Sequence, residues 1–147
     1  MSTITLRNGL VKSTVGNSIM IYDIKGEMFY AFNDTASMII DLMEFNVPIS
    51  QIKKTLSKYF TNSDIGTLEL NVDDFIKTLE KLNFTEKTEI VNTDYVQCSI
   101  TNSTEYSKPS FKEYTKEWLL ENHPGTFYNL TFSDRWGPST TSSGGNN

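Results

Sequence analysis

The sequence predicts an α+β fold: a three-stranded antiparallel sheet, then three helices, then an extended C-terminal tail. Three observations carry that expectation. Two short runs rich in Ile, Tyr and Phe, Ser18–Ile24 and Glu27–Phe32, flank Lys25-Gly26, the pattern of a hairpin. Directly after them, at Asn33-Asp34, the apolar spacing changes from strand to helix period. Beyond residue 86 large apolar residues thin out, then return as an aromatic cluster between residues 106 and 136.

A first strand around Gly9–Ser13, turning at Gly16-Asn17, completes the sheet, and Gly26 is expected to supply the positive φ of the second turn. Ala36, Ile39, Ile40 and Met43, spaced i, i+3, i+4, i+7, define the first helix, capped from Asn33-Asp34. Asn46-Val47-Pro48 breaks the chain. Ser50 is placed to cap a second helix carrying Ile52, Leu56 and Tyr59. Residues 61–70 read as a polar loop around Gly66. Asn71 then opens a third helix with Val72, Phe75, Ile76, Leu79 and Leu82 as its stripe and Asp73-Asp74 in its first turn. Met20, Met28, Met38 and Met43 suit core filling. Each helix has one apolar face, so a helical layer on one sheet face is expected. The edge along Glu27–Phe32 is left open, and an open edge offers N–H and C=O groups to any extended peptide.

Residues 87–104 are rich in Thr, Asn and Ser and read as a linker, although Val96, Cys98 and Ile100 alternate as a short strand would. Tyr106 to Phe111 reads as extended, because Pro109 biases the preceding residue towards β or polyproline geometry. Phe111, Tyr114, Trp118 and Leu119 follow at i, i+3, i+7, i+8, the spacing of a short amphipathic helix, and Asn122-His123-Pro124-Gly125 stops it. The end of the chain is aromatic at first and then a Ser/Thr/Gly/Asn tail that cannot build a core.

The totals exclude several function classes. The net charge of -5 is spread evenly: residues 1–86 hold 8 basic and 11 acidic side chains, and residues 87–147 hold 5 and 7. No basic face of the kind phosphate contacts require is visible, so nucleic acid is not an expected partner. No apolar run is long enough to span a membrane, and no basic-then-apolar signal segment opens the chain, which points to a cytoplasmic protein. A single cysteine, Cys98, allows neither an internal disulfide nor a Cys-based zinc site, and no cofactor or metal is expected. With one histidine, His123, no phosphate-cradling loop and no nucleophile–base set, the chain is not expected to be an enzyme. Asp73 and Asp74, about 100° apart on a helix, suit capping better than acid–base work.

Residues 11–84 resemble the PqqD-like family, the winged helix-turn-helix domains called RiPP recognition elements, which bind leader peptides of ribosomally made, post-translationally modified peptides. The resemblance lies in the order of elements and in Ile21-x-Asp23, Gly26-x-x-Phe29-Tyr30-x-Phe32-Asn33-x-Thr35-Ala36-Ser37, Ile49, Ser50 and Ile52 entering the second helix, and Val72-Asp73-Asp74-Phe75-Ile76 with Leu79. It covers about half the chain. It implies that a leader adds as a strand beside the third helix, in a groove of Glu27, Met28, Phe29, Tyr30, Ala31 and Phe32 with Phe75, Thr78, Leu79 and Leu82.

Tyr106-x-x-Pro109-x-Phe111 resembles the Tyr-x-x-Pro-x-Leu leader motif of lasso-peptide precursors and the Trp-x-Lys-Pro-x-Phe start of the PQQ precursor. The lasso pattern continues with a Gly where Thr115 stands here. Together these resemblances divide the chain into a recognition domain at 1–86, a linker at 87–105, a leader-like segment at 106–123 anchored by Tyr106, Pro109 and Phe111, and a core from 124 to 147. The expected chain is a precursor fused to its own recognition element, presenting its core to an enzyme in trans, such as a radical SAM enzyme or an ATP-dependent cyclase. In the core, Phe127, Asn129, Phe132 and Asp134 share an aromatic-x-Asn/Asp spacing that resembles radical-made cyclophanes. Asp134 also offers a side-chain-to-amine ring, and Trp136 completes the candidates. Two rival readings are a standalone peptide chaperone that takes a leader in trans and, more remotely, a winged-helix DNA-binding protein. Exchange of tails between two copies would give a dimer.

Overall fold

A computed structural model describes residues 3–15, 18–61, 63–92 and 105–128. The chain forms β1 (Thr3–Leu6), β2 (Leu10–Val15), β3 (Ser18–Asp23), β4 (Met28–Phe32), α1 (Asp34–Glu44), α2 (Ile49–Tyr59), α3 (Ile65–Lys81), β5 (Thr85–Thr88), β6 (Phe111–Thr115), α4 (Lys116–Asn122) and α5 (Pro124–Tyr128). The α+β class with antiparallel strands stands, and a sheet followed by a three-helix layer is compatible with the expected architecture. The count of strands differs. The main sheet has four, in the order β2-β3-β4-β6, and β1 pairs with β5 in a separate two-stranded sheet. Both strands of that second sheet have only four residues, too few to leave a readable alternation.

The period-2 alternation sorts the main sheet's side chains onto two faces. Ile19, Ile21, Tyr30 and Phe32 join α1, α2 and α3 in one core with Ile39, Leu56, Phe75 and Leu79. Met20, Tyr22 and Phe29 point the other way and pack with Leu119 in a second, smaller cluster. Tyr22 and Phe29 are cross-strand partners whose rings stack at 4.2 Å and 12°. Met38 and Met43 are buried in the first core and Met20 in the second, the filling role expected of them.

Asn33 caps α1 by accepting from the Ala36 amide at 2.9 Å. Ser37, one turn on, accepts from the Ile19 amide at 2.8 Å, which ties the helix to β3. Ala36, fully buried between them, leaves room for that approach. The Asn-x-Thr-Ala-Ser stretch thus joins the sheet to its helical layer.

Three local expectations are corrected. Glu27, not Gly26, takes positive φ in the β3–β4 turn, at 55°. Gly26 matters for space instead: a Cβ there would lie 3.0 Å from Asp23 Oδ2. The second helix begins at Ile49 after Pro48, so Ser50 lies inside it and no side chain caps it. The third begins at Ile65, six residues earlier than expected. Asp64 caps it by accepting from the Thr67 amide at 2.9 Å and the Thr67 hydroxyl at 2.8 Å, and these bonds hold the Asp64 carboxyl below its ordinary pKa. Gly66 is therefore helical, and Asp73 lies mid-helix, paired with Lys53 at 2.9 Å.

The chain stays against this core beyond residue 86. β5 crosses that point, and the Asn92 amide donates to the Asn46 carbonyl at 2.9 Å. Val96, Cys98 and Ile100 lie outside the described residues. Among the described residues, no helix is long and apolar enough to cross a membrane.

Candidate peptide-binding site

Both faces of β4 are buried, which leaves its outer edge as the feature to account for. Phe29 is fully buried on one face, and Tyr30 and Phe32 are buried on the other. The occupant of the edge is the chain's own segment Phe111–Thr115. It pairs antiparallel in the register Met28↔Thr115, Phe29↔Tyr114, Tyr30↔Glu113, Ala31↔Lys112 and Phe32↔Phe111. The ladder runs one step further, where the Asn33 amide donates to the Ser110 carbonyl at 3.0 Å. Antiparallel bonds alternate, so from that pair the amides of Lys112 and Tyr114 face β4, and those of Phe111, Glu113 and Thr115 face outward.

The helix expected from Phe111 is thereby corrected. Phe111 and Tyr114 fall on opposite faces of the strand, and each completes one cluster. Phe111 packs on Tyr30 and Phe32 at ring distances of 5.9 and 5.5 Å, whereas Tyr114 joins Met20, Tyr22 and Phe29. Ladder and packing together outweigh a five-residue helical propensity. The helix starts at Lys116, where the Thr115 hydroxyl accepts from the Trp118 amide at 3.1 Å.

Upstream, each of the other two anchors has a seat. Tyr106 accepts a hydrogen bond from Asn71 Nδ2 at 2.7 Å, and its ring meets Phe60 edge-on at 5.4 Å. Burial raises its pKa, opposed by the Asn71 bond. Beside it opens a cleft of about 450 Å³ lined by Tyr59, Ser63, Thr67 and Glu105 among others. Pro109 is buried. Between the two anchors Asn33 acts a second time. Its Nδ2 donates to the Lys108 carbonyl at 2.8 Å, and its Oδ1 accepts from the Ser110 amide at 3.2 Å while still capping α1. One carboxamide therefore fixes both the start of a helix and the path of the incoming segment.

Among the other expected groove residues, Met28 to Phe32 form β4 itself, and Glu27 belongs to the turn. Phe75 meets Phe32 edge-on at 6.0 Å, Leu79 is wholly buried, and Leu82 packs at the margin of the core. Thr78 turns its hydroxyl back to the Asp74 carbonyl at 3.0 Å. Asn33, Phe60 and Asn71 hold the segment, and Leu119 within it packs on the back of the sheet, none of them expected from the sequence. In the sequence Asn33 reads as a cap and Asn71 as a helix start, so neither signals a second use. Phe127 lies in α5, and Asn129, Phe132, Asp134 and Trp136 lie outside the described residues. Among the described residues, no group of three His, Cys, Asp or Glu is placed to hold a metal ion.

The fold is similar to that of TbiB1, solved in complex with the TbiA(beta) leader peptide. The two superpose with a TM-score of 0.53 at 15% sequence identity, over 60% of this chain and 99% of that one. No family model and no curated protein matches the chain.

Proposed function

We propose that this chain is a peptide-binding module of ribosomal natural-product biosynthesis, a precursor peptide fused to its own PqqD-like recognition element. Residues 106–123 serve as the leader, and the segment from about Pro124 onward is the core. The observation that carries this reading is the β4–β6 ladder, flanked by seats for Tyr106 and Phe111. The likeness to TbiB1 supports it, because that fold was captured holding a leader peptide. The chain between Asn92 and Glu105 is short, and a tether of this length gives an effective concentration on the order of millimolar. A leader of micromolar affinity would then be almost wholly docked.

Catalysis falls to a separate cytoplasmic enzyme, such as a radical SAM enzyme or an ATP-dependent cyclase, to which the domain delivers the core. The test is coexpression with neighbouring biosynthetic enzymes followed by intact mass and fragmentation. Loss of two hydrogens per crosslink signals radical coupling, and loss of one water signals an amide ring, in either case confined to residues after 124. Lys112→Pro, which removes an amide facing β4, should abolish the change, whereas Glu113→Pro, whose amide faces outward, should spare it. A chain never modified by any neighbour, yet able to present a foreign leader to an enzyme, would instead make it a chaperone acting in trans.

A further inference from the structure

The expected groove lies on the α1–α3 side of the sheet, but the segment on β4 does not end with its strand. Thr115 closes β6 and caps α4 at once, so the chain turns directly onto the opposite face. There Leu119 is 2% exposed among Met20, Tyr22 and Phe29, with Leu120 and Tyr114 at the margin. A peptide that bound by its strand alone would bring Tyr114 to the edge of the Tyr22–Phe29 stack but would leave out Leu119 and Leu120; the cluster's other members, Val11, Met20 and Ala31, belong to strands of the sheet itself. The sheet is thus gripped from both sides by one continuous stretch of chain.

Resting on the proposed function, we infer that the leader this domain reads has two parts: a strand on the β4 edge and a helix clamped on the back of the sheet. Leu119 is the anchor of the second part, and Met20, Tyr22 and Phe29 are the residues that select it. The ligand class follows from this geometry. It is a peptide with a Pro and an aromatic residue entering the edge, a hydroxyl or other capping side chain at the strand's end, and a leucine on the fourth residue after that cap.

The experiment uses the full-length chain carrying Lys112→Pro and Leu119→Asp, which undo its own strand and helix docking. Labelled peptides spanning residues 105–115 and 105–123 are titrated into it, together with the longer peptide carrying Leu119→Asp. The longer peptide should bind at least about tenfold tighter than the shorter one, a factor that burying one leucine side chain supplies. The Leu119→Asp peptide should fall back to the shorter peptide's affinity. Equal affinities for all three overturn the helical clamp while leaving edge binding intact. No binding by any peptide overturns the leader reading itself, and the clamp with it.

Hydrogen exchange on the single Leu119→Asp chain gives a second readout that does not depend on the doubly substituted one. The Lys112 and Tyr114 amides should exchange at least about tenfold faster, with α1 and α3 unchanged. Unchanged exchange at β6, or equal loss of protection throughout the domain, overturns the clamp.

Discussion

The two faces of the main sheet are built by different logics. The front face is covered chiefly by helices that follow it directly in the chain, so the buried residues of that core lie within residues 19–84, with Tyr106 and Phe111 only partly buried against it. The back face is covered by α4, roughly a hundred residues away from the strands it touches, through Leu119. A core whose parts are close in sequence forms with little loop-closure cost, whereas the back cluster must first close a long loop. The front face is therefore expected to set global stability, and the back face to open first.

Adjacent residues of β3 test that contrast most sharply. Ile21 faces front and is fully buried, and Ile21→Ala should cost about 2–5 kcal/mol of global stability, read as a lower urea midpoint across every probe. Tyr22, one residue on, faces back. Tyr22→Ala should chiefly speed exchange in β6 and α4 and leave α1 and α3 protected. Matching global losses for both variants would erase the distinction.

Asn33 sits where the two logics meet, and two substitutions divide its roles. Asn33→Ala should cost about 1 kcal/mol for the lost cap and a further ~1 kcal/mol for the bonds to residues 108–110. Asn33→Asp keeps a capping oxygen but loses the donor to the Lys108 carbonyl. It should leave α1 as stable as before and loosen only the docked segment, as measured by hydrogen exchange at Ser110 and Lys112.

A smaller effect comes from Tyr106. Burial raises its pKa above the ordinary 10.0, so the neutral phenol is the docked form. Docking is then fully supported below pH about 10 and weakens as pH climbs through the raised value. Tyr30 is raised as well, by burial first and then by Glu113 and Asp23, and it contributes in the same direction. Tyr106→Phe should remove part of that alkaline loss and, by orphaning Asn71 Nδ2, cost about 1 kcal/mol at neutral pH. The least consequence is expected of Lys53→Met. The Lys53–Asp73 pair is partly exposed, and its loss should stay within about 1 kcal/mol by urea titration.

What could be read from the sequence follows the same division. The β3–β4 hairpin and α1 were legible because periodicity and capping agree within a few residues. The edge of β4 was legible as an open edge for the same reason. The start of α3 was not, because Asn, Ser, Asp and Gly before Leu68 look like a loop unless Asp64 is recognised as a cap for Thr67. The strand β6 reads as helix in the sequence because Phe111, Tyr114 and Trp118 do fit that spacing. Only pairing with a distant strand assigns Phe111 and Tyr114 to opposite faces. Asn71 shows the limit most clearly: its partner Tyr106 is 35 residues away, and nothing local announces the bond.

With β6 in place, the outward row of peptide groups on that side of the sheet belongs to Phe111, Glu113 and Thr115. That border is five residues long and displays the exposed charges of Lys112 and Glu113 at its centre. A second molecule approaching it finds few rungs to add to and an ion of each sign in the way. Occupying the β4 edge from within therefore replaces an aromatic margin with a charged one of equal length on that side of the sheet, a less inviting template for edge-to-edge pairing.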